Sequence, residues 1–315
     1  MTNVTALSCE TSKELGRDDE LRPQAYCEHR AAFVLATLII LIFALRGNIF
    51  NPLDYPVITG FLILLLGVPH GAFDVAVWTA KSGHRGGRGI PEMLLRYIAL
   101  AAGFFTLWLV APAIALPVFL LMSIYHFSGD WHRDLNLAPR LIVAAAMITA
   151  PAGLFRAEVV EIFSWLAPDA IANAVGLVMA TTAVPLLQAS AVVVALHARQ
   201  RPWAAAEIAV VLGLAWLTPP MMFFLIYFCG LHSIRHMIET RHLLRSQTAN
   251  EFFRAAFPYA PLAIMGTLVG AFALSTLPPG PALIGAIFMA LGALTVPHIV
   301  VVEMSGSPDD QTPPE

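Results

Sequence analysis

Ten apolar stretches, most of them 17–28 residues long, dominate the chain and leave it few ways to fold. An α-helix needs about 20 mostly apolar residues to cross a hydrocarbon core of roughly 30 Å. In that medium every backbone N–H and C=O must be paired within the protein, which a helix does by itself. The stretches fall at 31–45, 57–79, 94–111, 113–130, 139–155, 170–197, 204–217, 220–243, 255–276 and 281–303, separated by Pro, Gly and Arg clusters. Charged residues make up 12% of the 315 and mean hydropathy is +0.72. A soluble domain carries about 25% charged residues, so most of this exterior must face lipid. The expected fold is all-α: a polytopic membrane bundle of about ten spans, or eight or nine if short stretches merge. The first and seventh stretches are short, and a kinked single helix also accounts for the break at Thr218-Pro219-Pro220. Net charge is −3 and the 18 Lys+Arg are dispersed, which argues against a nucleic-acid partner.

Residues 1–30 are polar and mixed in charge, without the basic-then-apolar order of a signal peptide. They read as a cytoplasmic tail, residues 31–304 as the membrane-embedded bundle, and residues 305–315, rich in Pro and Asp, as a flexible tail. With the N-terminus inside, inner loops hold Lys81, Arg85, Arg88, Arg133, Arg140, Arg199, Arg201, Arg245 and Arg254, and outer loops only Arg46 and Arg156. That asymmetry predicts both termini on the cytoplasmic side of the cell (inner) membrane.

Ionisable residues within a bilayer are costly and mark function. Five histidines lie well inside the predicted spans: His70, His126, His232, His236 and His298. Counted from the start of each stretch they stand 13, 13, 12, 16 and 17 residues in. At about 1.5 Å per residue they occupy one layer, roughly 18–26 Å below the outer surface. His232 and His236 are four apart, on one helical face. Each alone reads equally well as a histidine bonding one helix to another. Together they form the layer that a metal site in a bundle core requires. His29, His84, His132, His197 and His242 fall in tails, loops or span ends and read as solvated or snorkelling side chains.

Imidazole suits Fe, Cu, Zn and Ni, and the three cysteines have no zinc-ligand spacing. Four imidazoles would close a structural zinc site, whereas iron can keep further positions for O2. Neither HExxH nor the eight-histidine pattern of di-iron desaturases is present, so a single iron fits the count best. Asp74, Asp130 and Glu239 follow His70, His126 and His236 by three or four residues, and Glu303 follows His298 by five. Each can accept an imidazole N–H and balance the ion's charge, or simply mark a cytoplasmic helix end. Tyr125, Phe127, Trp131, Phe223, Phe224 and Tyr227 cluster at a similar depth and are candidates to line a substrate cavity.

Pro69-His70-Gly71-Ala72-Phe73-Asp74, Tyr125-His126-Phe127, Gly230-Leu231-His232-Ser233-Ile234-Arg235-His236 and Pro297-His298 with Glu303 resemble the motifs of the Brp/Blh-type bacterial and archaeal β-carotene 15,15′-dioxygenases. The resemblance runs from about residue 31 to residue 304. It implies a multi-pass oxygenase with one Fe(II) per chain that splits β-carotene with O2 at the central double bond to give all-trans-retinal. Its proposed ligands carry over to His70, His126, His232 and His236; His298 matches a further family histidine that can serve as ligand, as partner of a ligand or as proton donor. Partners are then a carotenoid, O2 and membrane lipid, and retinal links the chain to a retinal-binding rhodopsin. Two other classes remain open on the residues alone: a haem- or metal-binding electron-transfer protein, and a transporter or retinal-delivery protein with a His/Asp proton relay.

Overall fold

Proline marks where this chain starts its helices. Pro56, Pro112, Pro151, Pro202, Pro220 and Pro279 each open one. At that position the missing N–H would have no intrahelical partner, and the fixed φ is already helical. The computed structural model describes residues 17–81, 89–245, 248–256, 259–273 and 277–304, which form helices and their connections without a strand. In order they are α1 (Arg17–Leu45), α2 (Pro56–Leu66), α3 (Asp74–Lys81), α4 (Gly89–Val110), α5 (Pro112–Ser128), α6 (Leu137–Thr149), α7 (Pro151–Leu154), α8 (Arg156–Ser164), α9 (Asp169–His197), α10 (Pro202–Leu217), α11 (Pro220–Phe224), α12 (Ser233–Leu243), α13 (Ala249–Ala256), α14 (Ala260–Ala273) and α15 (Pro279–Met304).

Among the described residues, eight segments are long and apolar enough to cross a membrane: Ala25–Leu45, Pro56–Lys81, Gly89–Val110, Pro112–Trp131, Leu137–Leu154, Asp169–His197, Pro220–Leu243 and Pro279–Val301. The expected ten thus become eight together with two shorter apolar helices, α10 and α14, of 16 and 14 residues. The boundary expected at residue 30 falls inside α1, whose early turns bury Tyr26 and Arg30. Further along, Leu35, Ile39 and Ile42 are more than half exposed, as lipid-facing side chains should be.

Two spans are interrupted, and the end of a third is tightened, at the level of the histidines. A 3₁₀ segment, Val68–Phe73, separates α2 from α3, and another, Gly129–Trp131, follows α5. A π-helical segment, Leu225–His232, joins α11 to α12. Such departures from α geometry inside a span concentrate at functional sites. The helices also approach closely here: a Cβ on Gly67 would lie 2.2 Å from the Phe228 ring, whereas one on Gly71 would meet no described residue within 4 Å. Gly67 is therefore the point of close approach between α2 and the π-segment.

Candidate functional site

The π-segment sets the geometry. In a π-turn the hydrogen bond closes on the fifth residue rather than the fourth, so Tyr227 and His232 lie one turn apart, their rings 6.4 Å between centroids. Both meet one carboxylate. Asp130 accepts the Tyr227 hydroxyl at 2.5 Å and lies 3.0 Å from His232 Nδ1. With Nδ1 donating to the carboxylate, Nε2 of His232 is the nitrogen left to ligate. That atom lies 3.1 Å from Nε2 of His126. Two nitrogens each about 2.1 Å from one ion, at tetrahedral or octahedral angles, stand roughly 3.0–3.4 Å apart, so the spacing fits two ligands of a single metal.

A second pair mirrors the first. Asp74, 1% exposed, accepts from His298 Nδ1 at 2.7 Å and from the Tyr97 hydroxyl at 2.9 Å. Asp74, His236 and His298 can each turn one ligand atom to within 4.8 Å of the others. The His298 ring lies 5.0 Å from both His126 and His236, and His126 lies 4.7 Å from His232. Four of the five predicted imidazoles therefore form one cluster fed by α5, the π-segment, α12 and α15. The side chain of the fifth, His70, lies outside the described residues, as does that of Glu303.

The carboxylates depart from expectation. Asp130 serves His232 of another helix, not His126 four residues before it, because the 3₁₀ turn at Gly129–Trp131 advances faster per residue than an α-helix and carries Asp130 off the His126 face. Asp74 reaches His298 and Tyr97, and its expected partner His70 has its side chain outside the described residues. Glu239 is not an imidazole partner: it is half-buried and pairs with Arg133 at 3.3 Å. Of the aromatics, Phe127, Phe223 and Phe224 line the cavity described below. Tyr227 and Trp131 are instead fully buried hydrogen-bond donors behind the cluster, and Tyr125 points to the exposed groove with Leu121, Met122 and Val296.

Behind His232 lies a polar group that a census of histidines overlooks. Glu207, with no exposure, accepts from Arg235 Nη2 at 2.6 Å, Trp131 Nε1 at 2.9 Å and Arg30 Nε at 3.0 Å. Arg235 also donates to the main-chain carbonyl of Asp130 at 2.9 Å, and Arg30 to Asp134. Tyr26 packs its ring against the guanidinium groups of Arg30, Arg133 and Arg235, 4.6–5.3 Å from its centre. His29, expected in the solvated tail, bonds the Gly230 carbonyl of the π-segment at 2.9 Å. The detectable signal was Glu207 itself, a lone carboxylate within the 204–217 stretch; nothing local marks Tyr26, Arg30 or Tyr97.

An apolar cavity of about 140 Å³ opens against His126 and His298 and reaches Gly71 and Tyr97. Its described lining carries no Asp, Glu, Lys or Arg. Its hydroxyls are already engaged: Tyr97 donates to Asp74, Ser123 to Phe119 O and Thr295 to Leu291 O. A ligand would therefore meet hydrocarbon, aromatic faces and imidazole.

The chain matches the family model described as β-carotene 15,15′-dioxygenase over residues 61–305, which takes in all five intramembrane histidines, Asp74, Asp130 and Glu207. It is 28% identical over 254 residues to a β-carotene 15,15′-dioxygenase of uncultured marine bacterium 66A03, an alignment covering 77% of this chain and 90% of that protein. No solved structure matches it.

Proposed function

The chain belongs to the β-carotene 15,15′-dioxygenase family, and on that premise we propose that it is an Fe(II)-dependent oxygenase of the inner membrane, both termini cytoplasmic, cutting β-carotene at its central double bond. The observation that carries this is the convergence of His126 and His232 Nε2, 3.1 Å apart, beside an apolar cavity. His126, His232, His236 and His298 would hold the metal, with His70 completing the set implied by the family motifs. Asp130 and Asp74 fix the Nδ1–H tautomers of His232 and His298 and supply two negative charges opposite the ion. Bound iron would supply activation of O2 next to the polyene.

The cavity wall supports the same chemistry. Adding both atoms of O2 across a C=C bond and breaking that bond yields two C=O groups. No net proton or electron enters, so no acid, base or nucleophile need touch the substrate. A described lining without Asp, Glu, Lys or Arg, and with its hydroxyls turned to the protein, suits that balance and excludes water from the reacting centre. A carotenoid is an apolar rod about as long as the hydrocarbon core is thick, so lipid itself is its reservoir.

Expression in β-carotene-producing bacteria tests this. Pigment loss, retinal formation and about one iron per purified chain are expected, with His232→Ala and His236→Ala losing both iron and retinal. A Soret band would instead point to haem, and the absence of stoichiometric iron with no aldehyde formed to a proton relay.

A further inference from the structure

Resting on the cleavage reading above, we propose that the cavity is a ruler: its depth, set by α8, determines which double bond meets the metal centre. The lining follows one face of each neighbouring helix, Phe288, Leu291, Thr295 and His298 on α15 and Phe119, Ser123 and His126 on α5. From the level of His298 back to Phe288 is ten residues, about 15 Å of helix. A carotenoid about 30 Å long has a half-length of about 15 Å, which is this depth.

A face of α8 also belongs to the cavity's described lining. Val159, Ile162 and Phe163, spaced i, i+3 and i+4 on α8, line it and are 4%, 5% and 9% exposed. With nine residues α8 is too short to span, and it is held in place by packing on α9 and by the Asn51 amide donating to Glu158 at 3.0 Å. A cyclic end group entering the sleeve comes to rest on this wall, and the bond one half-length away stands beside His126 and His298. Cleavage there adds O2 across that bond and releases two aldehydes, the ring-bearing one having the length of the sleeve. The position of the cut is thus measured from the ring and not from the middle of the molecule.

The test uses the full-length protein in membranes and carotenoids with one ring and far ends of different lengths. Wild-type protein should give a ring-bearing aldehyde of constant length whatever the far end. Phe163→Ala, which deepens the sleeve, should raise the share of longer ring-bearing aldehyde at least tenfold, and Ile162→Trp should favour a shorter one. In chelator-treated protein, which binds without cutting, Ile162→Trp should weaken binding of the one-ringed probe about tenfold, followed by the shift in carotenoid absorption. Ring-bearing products whose length follows the far end, or an unchanged product in both active variants, overturn the ruler while leaving the cleavage reading intact. If a variant does not fold, the wild-type length series still decides. No aldehyde from wild-type protein under any condition defeats both.

Discussion

Asp130→Asn isolates what a carboxylate does behind an imidazole. The main-chain carbonyl of Asp130 keeps its bond from Arg235, and the side chain keeps its volume, so the change is confined to the two oxygens. As a carboxylate they accept from His232 Nδ1 at 3.0 Å and from Tyr227 at 2.5 Å. An amide has one acceptor and one donor group, so one of the two buried donors must face an NH2. Leaving a buried donor unsatisfied costs about 1–3 kcal/mol. At about 1.4 kcal/mol per tenfold, that is roughly 5–150-fold, in line with the 10–100-fold usual for removing the partner of a ligating histidine. Iron per purified chain and initial rate of retinal formation are the assays, and both should fall together. Adding Tyr227→Phe removes the competing donor and frees the single amide oxygen for His232, so the double variant should recover part of the loss. Wild-type iron and rate in Asp130→Asn, or a double variant whose loss is the sum of the two single losses, would refute the view that Asp130 acts through His232.

Glu207→Gln should lower stability in detergent by about 3–5 kcal/mol, since it leaves two buried guanidinium groups without their shared counter-charge; an unchanged thermal midpoint would contradict this. Gly67→Ala drives a methyl to 2.2 Å from Phe228, which stacks on His232, and should cost about 1–3 kcal/mol by overpacking. Gly71→Ala, with no described residue within 4 Å, should leave stability within about 0.5 kcal/mol of wild type. His132→Ala should retain full retinal output, because the exposed His132 bonds only the carbonyl of Gly129 in its own turn; loss of output comparable to His232→Ala would move the site elsewhere.

Hydropathy and proline placement make the spans legible, and the depth count places five histidines in one layer, of which His126, His232, His236 and His298 cluster among the described side chains. Those signals are local, carried by composition and by the 1.5 Å helical rise. What they missed is long-range or depends on a change of helix type. Arg30 and Glu207 are 177 residues apart, and no periodicity links them. Spacing by four assumes an α-helix, and it failed for Asp130, where the backbone tightens to 3₁₀. It could not show that the wider π-turn would align Tyr227 with His232. Aromatics were named by depth alone, and depth does not say whether a ring faces a cavity, as Phe223 does, or a carboxylate, as Tyr227 does.

The buried polar contacts also answer a problem that lipid sets for any bundle. Lipid tails are as apolar as leucine, so burial of hydrocarbon does little to choose one packing of these helices over another. Each polar contact here joins segments distant in sequence: Asp130–His232 ties the end of α5 to the π-segment, Asp74 ties α3 to both α15 and α4, and Glu207 ties α10 to α1 and α12. Each carboxylate would be costly in lipid if unpaired, and each is paired in this arrangement. A packing that separates these segments breaks at least one pair at several kcal/mol, a penalty far larger than apolar contacts in lipid can impose. The groups that orient the imidazoles are thus also those that specify which helices meet.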